Sequence, residues 1–206
     1  MWELIQVGGW VMVPIILSSI IAVAIIIERL WVLRVERVAP SGLVAEIWRE
    51  YTTGRVDEAR LRALLQGTAL ERVIAAAFSQ SGMDSARLRL AMEEAGRSEA
   101  HVLGRYLNTL GTIAAITPLL GLLGTVFGMI EVFAAIDMGS RADTAALAGG
   151  IGQALVTTGA GLSIAIPALV AHRYLRGKVD LLTQCLEQEA LRLLGLIERQ
   201  SEADKN

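Results

Sequence analysis

Residues 117–130 read Thr-Pro-Leu-Leu-Gly-Leu-Leu-Gly-Thr-Val-Phe-Gly-Met-Ile and belong to a longer stretch, 106–130, that contains no charged residue. Two other stretches, 4–27 and 144–171, also lack Asp, Glu, Lys and Arg. Each is longer than the ~20 residues that a helix needs to cross a bilayer. The sequence therefore predicts an all-α, polytopic membrane protein with three transmembrane helices, at roughly 10–30, 107–135 and 146–171.

The composition supports a membrane protein. Of the 206 residues, 53% are hydrophobic and 19% are charged, and the mean hydropathy is +0.50. The net charge of −2 gives no electrostatic footprint for a nucleic-acid partner. A single cysteine, Cys185, excludes an internal disulfide, and the two distant histidines form no ligand pattern. We therefore expect no metal site and no cofactor.

The basic residues predict the topology. Residues 34–105 hold 11 of the 19 Lys and Arg and residues 172–206 hold six, while Arg29 ends the first span and Arg141 is alone in a hairpin. The positive-inside rule then places the N-terminus outside and the C-terminus in the cytoplasm. The predicted segments are an N-terminal end with the first span (1–33), a cytoplasmic helical region (34–105), the second span (106–135), an outer hairpin (136–145), the third span (146–171) and a cytoplasmic helical tail (172–206).

The cytoplasmic region is predicted to be helical. Amphipathic runs at 43–48 and 61–65 are separated by turn residues and read as short helices. Asp84 is a candidate N-cap for one unbroken helix over 85–131, about 70 Å long, that continues into the second span. Leucines at helical spacing over 178–198 predict that the third span also continues into the cytoplasm.

The second span has two unlike faces. Because lipid tails are as apolar as leucine, a bulky face can meet lipid, whereas small residues let another backbone approach closely. The glycines fit two roles, helix packing within one chain or lining of a polar interior. The threonines on the same face favour the second role. At ~100° per residue the small face holds Ala114, Thr117, Gly121, Gly124, Thr125 and Gly128, and the bulky face holds Leu119, Leu123, Val126, Phe127 and Ile130.

The third span repeats this pattern less cleanly. Each span also contains a proline, Pro118 or Pro167, which frees one carbonyl and predicts a kink. The prolines have two possible roles: they only kink the helix, or the freed carbonyl makes a polar contact. The candidate pore-facing residues of this span are Ala154, Thr158 and Gly161, together with Ala165, and Gln153 and Thr157 are candidates for a polar contact.

The three charge-free stretches also lack histidine. Movement of protons along side chains inside a membrane needs a titrating group, and relays use Asp, Glu or His. If the protein conducts protons, another chain must therefore supply the acid.

Residues 117–130 resemble the second-span signature of the MotA/TolQ/ExbB proton-channel family. Residues 150–168, which read Gly-Ile-Gly-Gln-Ala-Leu-Val-Thr-Thr-Gly-Ala-Gly-Leu-Ser-Ile-Ala-Ile-Pro-Ala, resemble that family's third span. The short hairpin and the three spans are more like ExbB or TolQ than the four-span MotA.

This resemblance implies a subunit of a bacterial inner-membrane motor. ExbB-like chains form a pentameric ring around a single-span partner, ExbD or TolR, whose aspartate takes up and releases protons. The proton-motive force is then passed to TonB, for outer-membrane transport, or to the Tol–Pal system. The pore threonines of the family match Thr125 and Thr158, and Gln153 stands where the family often has Glu. The ring would turn the small face of the second span and the Thr158 face toward a central pore.

Other functions stay open at this point. An ExbB role is favoured over a TolQ role, and transport of sodium rather than protons is an alternative. A membrane scaffold that moves no ion is a rival from another class. An enzyme and a secondary transporter are disfavoured, because the chain shows no catalytic motif, inverted repeat or intramembrane charge.

Overall fold

The computed structural model describes residues 8–79, 85–137 and 144–203, and in these ranges the chain is helical, without strands. The predicted cap Asp84 and residues 138–143 of the predicted hairpin, with Arg141, lie outside the described residues. The helices are α1 (Met12–Val32), α2 (Val35–Val38), α3 (Leu43–Thr52), α4 (Glu58–Leu65), α5 (Ala69–Phe78), α6 (Ser85–Leu103), α7 (Leu107–Asp137) and α8 (Thr144–Ala203).

The prediction of three membrane-spanning helices is confirmed in the described part of the chain. Met12–Val32 and windows within Ala86–Ala134 and Leu147–Gln200 are long and apolar enough to cross a bilayer. The third of these helices continues unbroken to Ala203, as the leucine pattern of the tail predicted. Neither Pro118 nor Pro167 ends its helix, because α7 and α8 continue through them.

The prediction of one unbroken helix over 85–131 is wrong. Helix α6 ends at Leu103 and α7 begins at Leu107, and between them Tyr106 has a φ of 63°. This left-handed conformation is uncommon for a bulky residue and interrupts the helix. Leu103 and Leu107 are both buried, so the apolar pattern continues across the break. Periodicity alone therefore did not reveal it.

Arg29 donates to two backbone carbonyls at this break, of which that of Val102 also accepts from the N–H of Arg105 at 3.2 Å. Its guanidinium donates to the carbonyl oxygens of Leu103 at 3.2 Å and Val102 at 3.4 Å, and Arg29 is only 4% exposed. The last carbonyls of a helix have no partner within that helix, and a basic side chain at this position also interacts favourably with the helix dipole. Arg29 is therefore a structural cap of α6 as well as a topology signal.

The chain divides into two compact units. The first contains the residues up to Glu28 and Tyr106–Tyr174, and the second contains Arg29–Arg105 and the residues from Leu175 onward. Both α1 and α8 contribute residues to both units. The first unit holds the apolar parts of α1, α7 and α8, and the candidate site belongs to it.

The second unit buries apolar side chains such as Ile47, Leu70 and Ile74, and its helices α4 and α5 have side-chain N-caps. Helix α5 begins with a capping box in which the hydroxyl of Thr68 accepts from the backbone N–H of Glu71 and the Glu71 carboxylate accepts from that of Thr68. Asp57 caps α4 by accepting from the N–H of Arg60 at 2.8 Å. The short helices predicted around 43–48 and 61–65 are present as α3 and α4.

Candidate functional site

Helices α7 and α8 contact each other through small residues. A methyl group on Gly161 would lie 2.8 Å from the carbonyl oxygen of Thr117, and one on Gly128 would lie 2.7 Å from that of Gly150. At Gly121 the same group would lie 3.0 Å from the carbonyl oxygen of Thr157. Because these neighbours are backbone atoms, the two helices approach as closely as glycine allows. We call this surface the α7–α8 contact.

The glycines predicted to line a pore thus have a role within the single chain. Gly121, Gly124 and Gly128 of α7 and Gly161 of α8 are buried in the α7–α8 contact. Ala114 and Ala154 are buried as well. The alternative stated for the glycines, helix packing within one chain, accounts for their positions, and the pore-lining role stays a prediction.

The four threonines of this region differ in exposure. Thr117 and Thr157 are 0% exposed, and their hydroxyls donate to carbonyls within their own helices, at Ile113 (2.6 Å) and at Gln153 and Ala154 (3.0 and 2.9 Å). Thr125 and Thr158 are half-buried. A side chain can touch another chain only if it is accessible, so Thr125 and Thr158 are the stronger candidates for such a contact.

Thr158 also links the two helices. Its hydroxyl donates to the carbonyl oxygen of Gly121 on α7 at 3.0 Å. The Thr125 hydroxyl donates instead to Leu122 within α7, at 2.6 Å. Since each hydroxyl has one hydrogen and two acceptor lone pairs, both oxygens keep acceptor capacity toward a further partner.

Helix α1 covers one flank of the α7–α8 pair. Its buried residues Val11, Met12 and Ile15 pack against partly buried residues of both helices. Trp10 meets Phe127 edge-on, with ring centroids 5.3 Å apart. The residues packed against this core are Ile16, Leu120, Phe127, Ala160 and Ile164.

Thr125 and Thr158 lie on the flank opposite α1. At ~100° per residue, Leu120 and Phe127 fall on one side of Gly121, and Thr125 falls on the other. On α8 the same rotation places Ala160 and Ile164 on one side of Gly161 and Thr158 on the other. The two threonines that matched the pore positions therefore share the flank that α1 leaves uncovered.

Gln153 lies on the α1 side. A methyl group on Gly9, whose φ is 64°, would lie 2.6 Å from the amide nitrogen of Gln153. One on the neighbouring Gly8 would lie 3.3 Å from the methyl group of Thr157. The turn before α1 thus fits against these two polar candidates, which do not share the flank of Thr158. This contact was not predicted, although adjacent glycines at 8–9 in an apolar stretch were a signal for it.

Two further positions differ from expectation. Phe127 was predicted on the lipid-facing side of the second span but is half-buried against α1. The other bulky residues of that side are exposed as predicted, namely Leu119, Leu123, Val126 and Ile130. His172 also belongs to the α7–α8 contact, because a methyl group on Gly111 would lie 3.0 Å from its Nε2. Gly111 continues the small-residue spacing of α7 by one turn and was a signal for this contact in the sequence.

The fold and the site define a helical membrane protein in which two closely packed apolar helices present threonines on one flank. Residues 65–188 match the family described as the MotA/TolQ/ExbB proton channel family. An ExbB-like biopolymer transport protein of Synechocystis is 34% identical over 168 residues, which are 79% of this chain and 79% of that protein. The chain belongs to the MotA/TolQ/ExbB proton channel family.

Relatives named ExbB and relatives named TolQ match the chain over shorter regions. The biopolymer transport protein ExbB of Neisseria gonorrhoeae is 40% identical over 96 residues, 45% of this chain and 44% of that protein. The Tol-Pal system protein TolQ of Haemophilus influenzae is 36% identical over 94 residues, 46% of this chain and 41% of that protein. The matches thus include ExbB and TolQ alike.

Proposed function

We propose that this chain is an ExbB-type channel subunit of a motor in the bacterial inner membrane. It assembles as a pentameric ring around a single-span, ExbD-like partner whose aspartate titrates. Together they convert the proton-motive force into mechanical work on TonB for outer-membrane transport. The proposal gives the chain no enzymatic activity. Membership of the proton channel family supports it.

One observation carries the proposal. Thr125 and Thr158 are half-buried threonines on the flank opposite α1, on helices that have no Asp, Glu, Lys, Arg or His over 106–130 and 144–171. This is the arrangement expected of a subunit that offers polar contacts along a path but leaves the titration to its partner.

The chemistry follows from the two states of a carboxyl group. A protonated aspartic acid is neutral and can donate its hydrogen to a threonine oxygen that already donates elsewhere, as the Thr125 hydroxyl does to Leu122. An ionised aspartate needs donors, and its burial without them is strongly unfavourable. Rotation of a threonine hydroxyl toward the carboxylate would supply one. The threonines would thereby set where along the path the proton is exchanged.

The orientation also belongs to the proposal. The N-terminus lies in the periplasm and the C-terminus in the cytoplasm, because 11 of the 19 basic residues lie in 34–105 and six in 172–206. Arg29, at the end of α1 that would face the cytoplasm, donates to the end of α6.

A TolQ-type role in the Tol–Pal system is the second candidate, and the match to TolQ of Haemophilus influenzae favours it. Identification of the single-span protein that co-purifies with the chain separates the two candidates. Recovery of an ExbD-like protein supports the ExbB role, and recovery of a TolR-like protein supports the TolQ role.

Proton flux into liposomes that contain the chain and its partner tests the proposal. Valine has nearly the shape of threonine without the hydroxyl, so Thr125→Val and Thr158→Val should each lower the flux at least about tenfold, the effect of losing a hydrogen bond to a charged group. The chain alone should conduct nothing.

Thr112→Val is the matched control. Thr112 is an exposed threonine of α7 whose hydroxyl donates to Asn108 at 2.9 Å, and it lies about 180° around the helix from Gly121. This variant should conduct as the wild type does. Full flux in both Thr125→Val and Thr158→Val, with the complex intact, would contradict the proposed path. No flux in the wild-type complex would favour the scaffold role.

A further inference from the structure

Helix α1 has an exposed apolar stripe that ends in a tryptophan. Trp31 is 54% exposed. At ~100° per residue it lies within about 40° of Ile20 and Ile27 on the helix surface. In a membrane protein such a stripe faces lipid, and tryptophan at its end is typical of the membrane–water interface. The other exposed residues of this stripe are Val13, Leu17 and Ala24.

Arg37 folds back over this tryptophan. The chain turns after α1, with Leu33 buried, and α2 places the Arg37 guanidinium carbon 3.7 Å from the centre of the Trp31 ring. Stacking uses the face of the guanidinium, whereas its N–H donors point outward in its plane. The stack therefore fixes the arginine but leaves its donors available.

These donors have no acidic partner in the described part of the chain. Neither Arg37 nor the nearby Arg34 forms an ion pair with a carboxylate there. Both side chains are exposed, as is Glu36 between them. The end of the lipid-facing stripe thus presents two unpaired guanidinium groups against one carboxylate.

We propose that Trp31, Arg34 and Arg37 form a binding site for the headgroup of an anionic phospholipid. The planar guanidinium of Arg37 would donate two parallel hydrogen bonds to the phosphate oxygens, a geometry that a stacked arginine is well placed to offer. The acyl chains would lie along the exposed stripe of α1. Arg34 adds the second positive charge that favours an anionic over a zwitterionic headgroup.

The site needs only that this end of α1 lies at a membrane surface, which the proposed orientation makes the cytoplasmic one. It requires neither a partner nor proton conduction. Its test uses the full chain alone, so that failure here and failure of the proposed channel function are separate results.

Lipid retention measures the proposed preference. The purified full chain in a nonionic detergent is equilibrated with equal amounts of phosphatidylglycerol and phosphatidylcholine of the same acyl chains, and the bound lipids are counted by native mass spectrometry. The wild type should retain phosphatidylglycerol preferentially. Arg37→Gln should lower the ratio of the two lipids about tenfold, because a charge-assisted pair is lost.

Two variants separate charge from geometry. Arg37→Lys keeps the charge but loses the planar donor fork, so its lipid ratio should lie between those of the wild type and Arg37→Gln. Arg62→Gln removes an exposed arginine of the same unit, whose side chain is 75% exposed, and should leave the ratio unchanged.

Three results would overturn the proposal. Equal retention of both lipids by the wild type would leave only apolar contact with α1. An equal fall in Arg37→Gln and Arg62→Gln would show general attraction of anions to a basic surface. Complete displacement of phosphatidylglycerol by excess inorganic phosphate would make this a site for a soluble anion.

Discussion

The α7–α8 contact of the first unit and the α5–α6 contact of the second unit are built in different ways. Glycines bring the backbones of α7 and α8 together, and the Thr158 hydroxyl donates across the contact to the carbonyl of Gly121. Helix α5 instead buries large side chains such as Leu70 and Ile74, and Arg72 reaches Glu99 of α6 through two hydrogen bonds of 2.5–2.6 Å.

The difference reflects the solvent that each contact must compete with. Lipid is as apolar as leucine, so burial of leucine between membrane helices gives little, and close backbone packing takes its place. In water, burial of apolar side chains is the main driving force, and an ion pair at the surface adds little. One chain thus shows both solutions, and the following substitutions test whether each contact depends on the feature named for it.

The largest effect is expected for Gly161→Ala. The added methyl group would lie 2.8 Å from the Thr117 carbonyl oxygen and 3.2 Å from the Gly121 Cα, and these backbone atoms can move only if the helices separate. We expect a loss of about 3 kcal/mol of folding free energy, the cost of overpacking at a fixed backbone. Thermal unfolding of the purified protein measures it.

Gly159→Ala is the matched control for this prediction. Gly159 lies two residues earlier on α8, and a methyl group there meets nothing within 4 Å. Alanine forms helix better than glycine, so this variant should be as stable as the wild type or more so. Equal stability of the two alanine variants would show that close approach does not hold α7 against α8.

A smaller effect is expected for Arg29→Gln. The substitution removes the charged donor to the Leu103 carbonyl at the end of α6, and an unsatisfied buried carbonyl should cost about 2 kcal/mol. The Val102 carbonyl keeps the backbone N–H of Arg105 as a donor. Hydrogen exchange should become faster around residues 100–110. The exposed Arg62 is the control, and Arg62→Gln should change stability by no more than about 0.5 kcal/mol. Unchanged exchange in Arg29→Gln would remove the assigned capping role.

The smallest effect is expected for the Arg72–Glu99 pair. A double-mutant cycle with Arg72→Met and Glu99→Gln should give a coupling of about 1 kcal/mol, because Glu99 is only 8% exposed but Arg72 is partly in solvent. The exposed pair of Arg62 and Glu58 should give a coupling near zero. Equal coupling in both pairs would contradict the view that burial gives this contact its strength.

The coupling between Arg72 and Glu99 is expected not to change as the pH rises above neutrality. The hydrogen bond to Glu99 raises the pKa of the Arg72 guanidinium above its already high usual value. A raised pKa gives stability that is complete below the pKa of the unfolded chain and is lost only as the pH rises through the pKa of the folded chain. The coupling should therefore be equal at about pH 7 and about pH 9.

The helices were largely predictable from the sequence, since a charge-free stretch of more than 20 residues has few alternatives to a membrane helix. The break at residues 104–106 was not, because Leu103 and Leu107 keep the apolar pattern across it. Its signals were weak, namely a single glycine at 104 and a basic residue, Arg29, that lies 74 residues away from the carbonyl it meets.

The candidate site was predictable in composition but not in arrangement. Helical spacing correctly grouped Thr117, Gly121 and Gly128 on one face of α7, yet the same face fits a pore or a neighbouring helix equally well. Gln153 and Thr158 are both polar residues of α8, five positions apart and thus about 140° apart around the helix. The spacing showed that they point in different directions from α8, but it gave no reason to expect that Gln153 rather than Thr158 lies on the side of α1.

The sequence by itself determined which segments cannot lie in water, because an apolar stretch must be buried in lipid or protein. It also determined that a second chain must supply the titrating group if protons move, because threonine cannot titrate. Only the tertiary structure decided which polar groups are covered. Helix α1 packs over Phe127 and Ile164, and the turn before it meets Gln153, whereas Thr125 and Thr158 lie on the opposite flank. That outcome depends on contacts between residues more than a hundred positions apart, which no local pattern encodes.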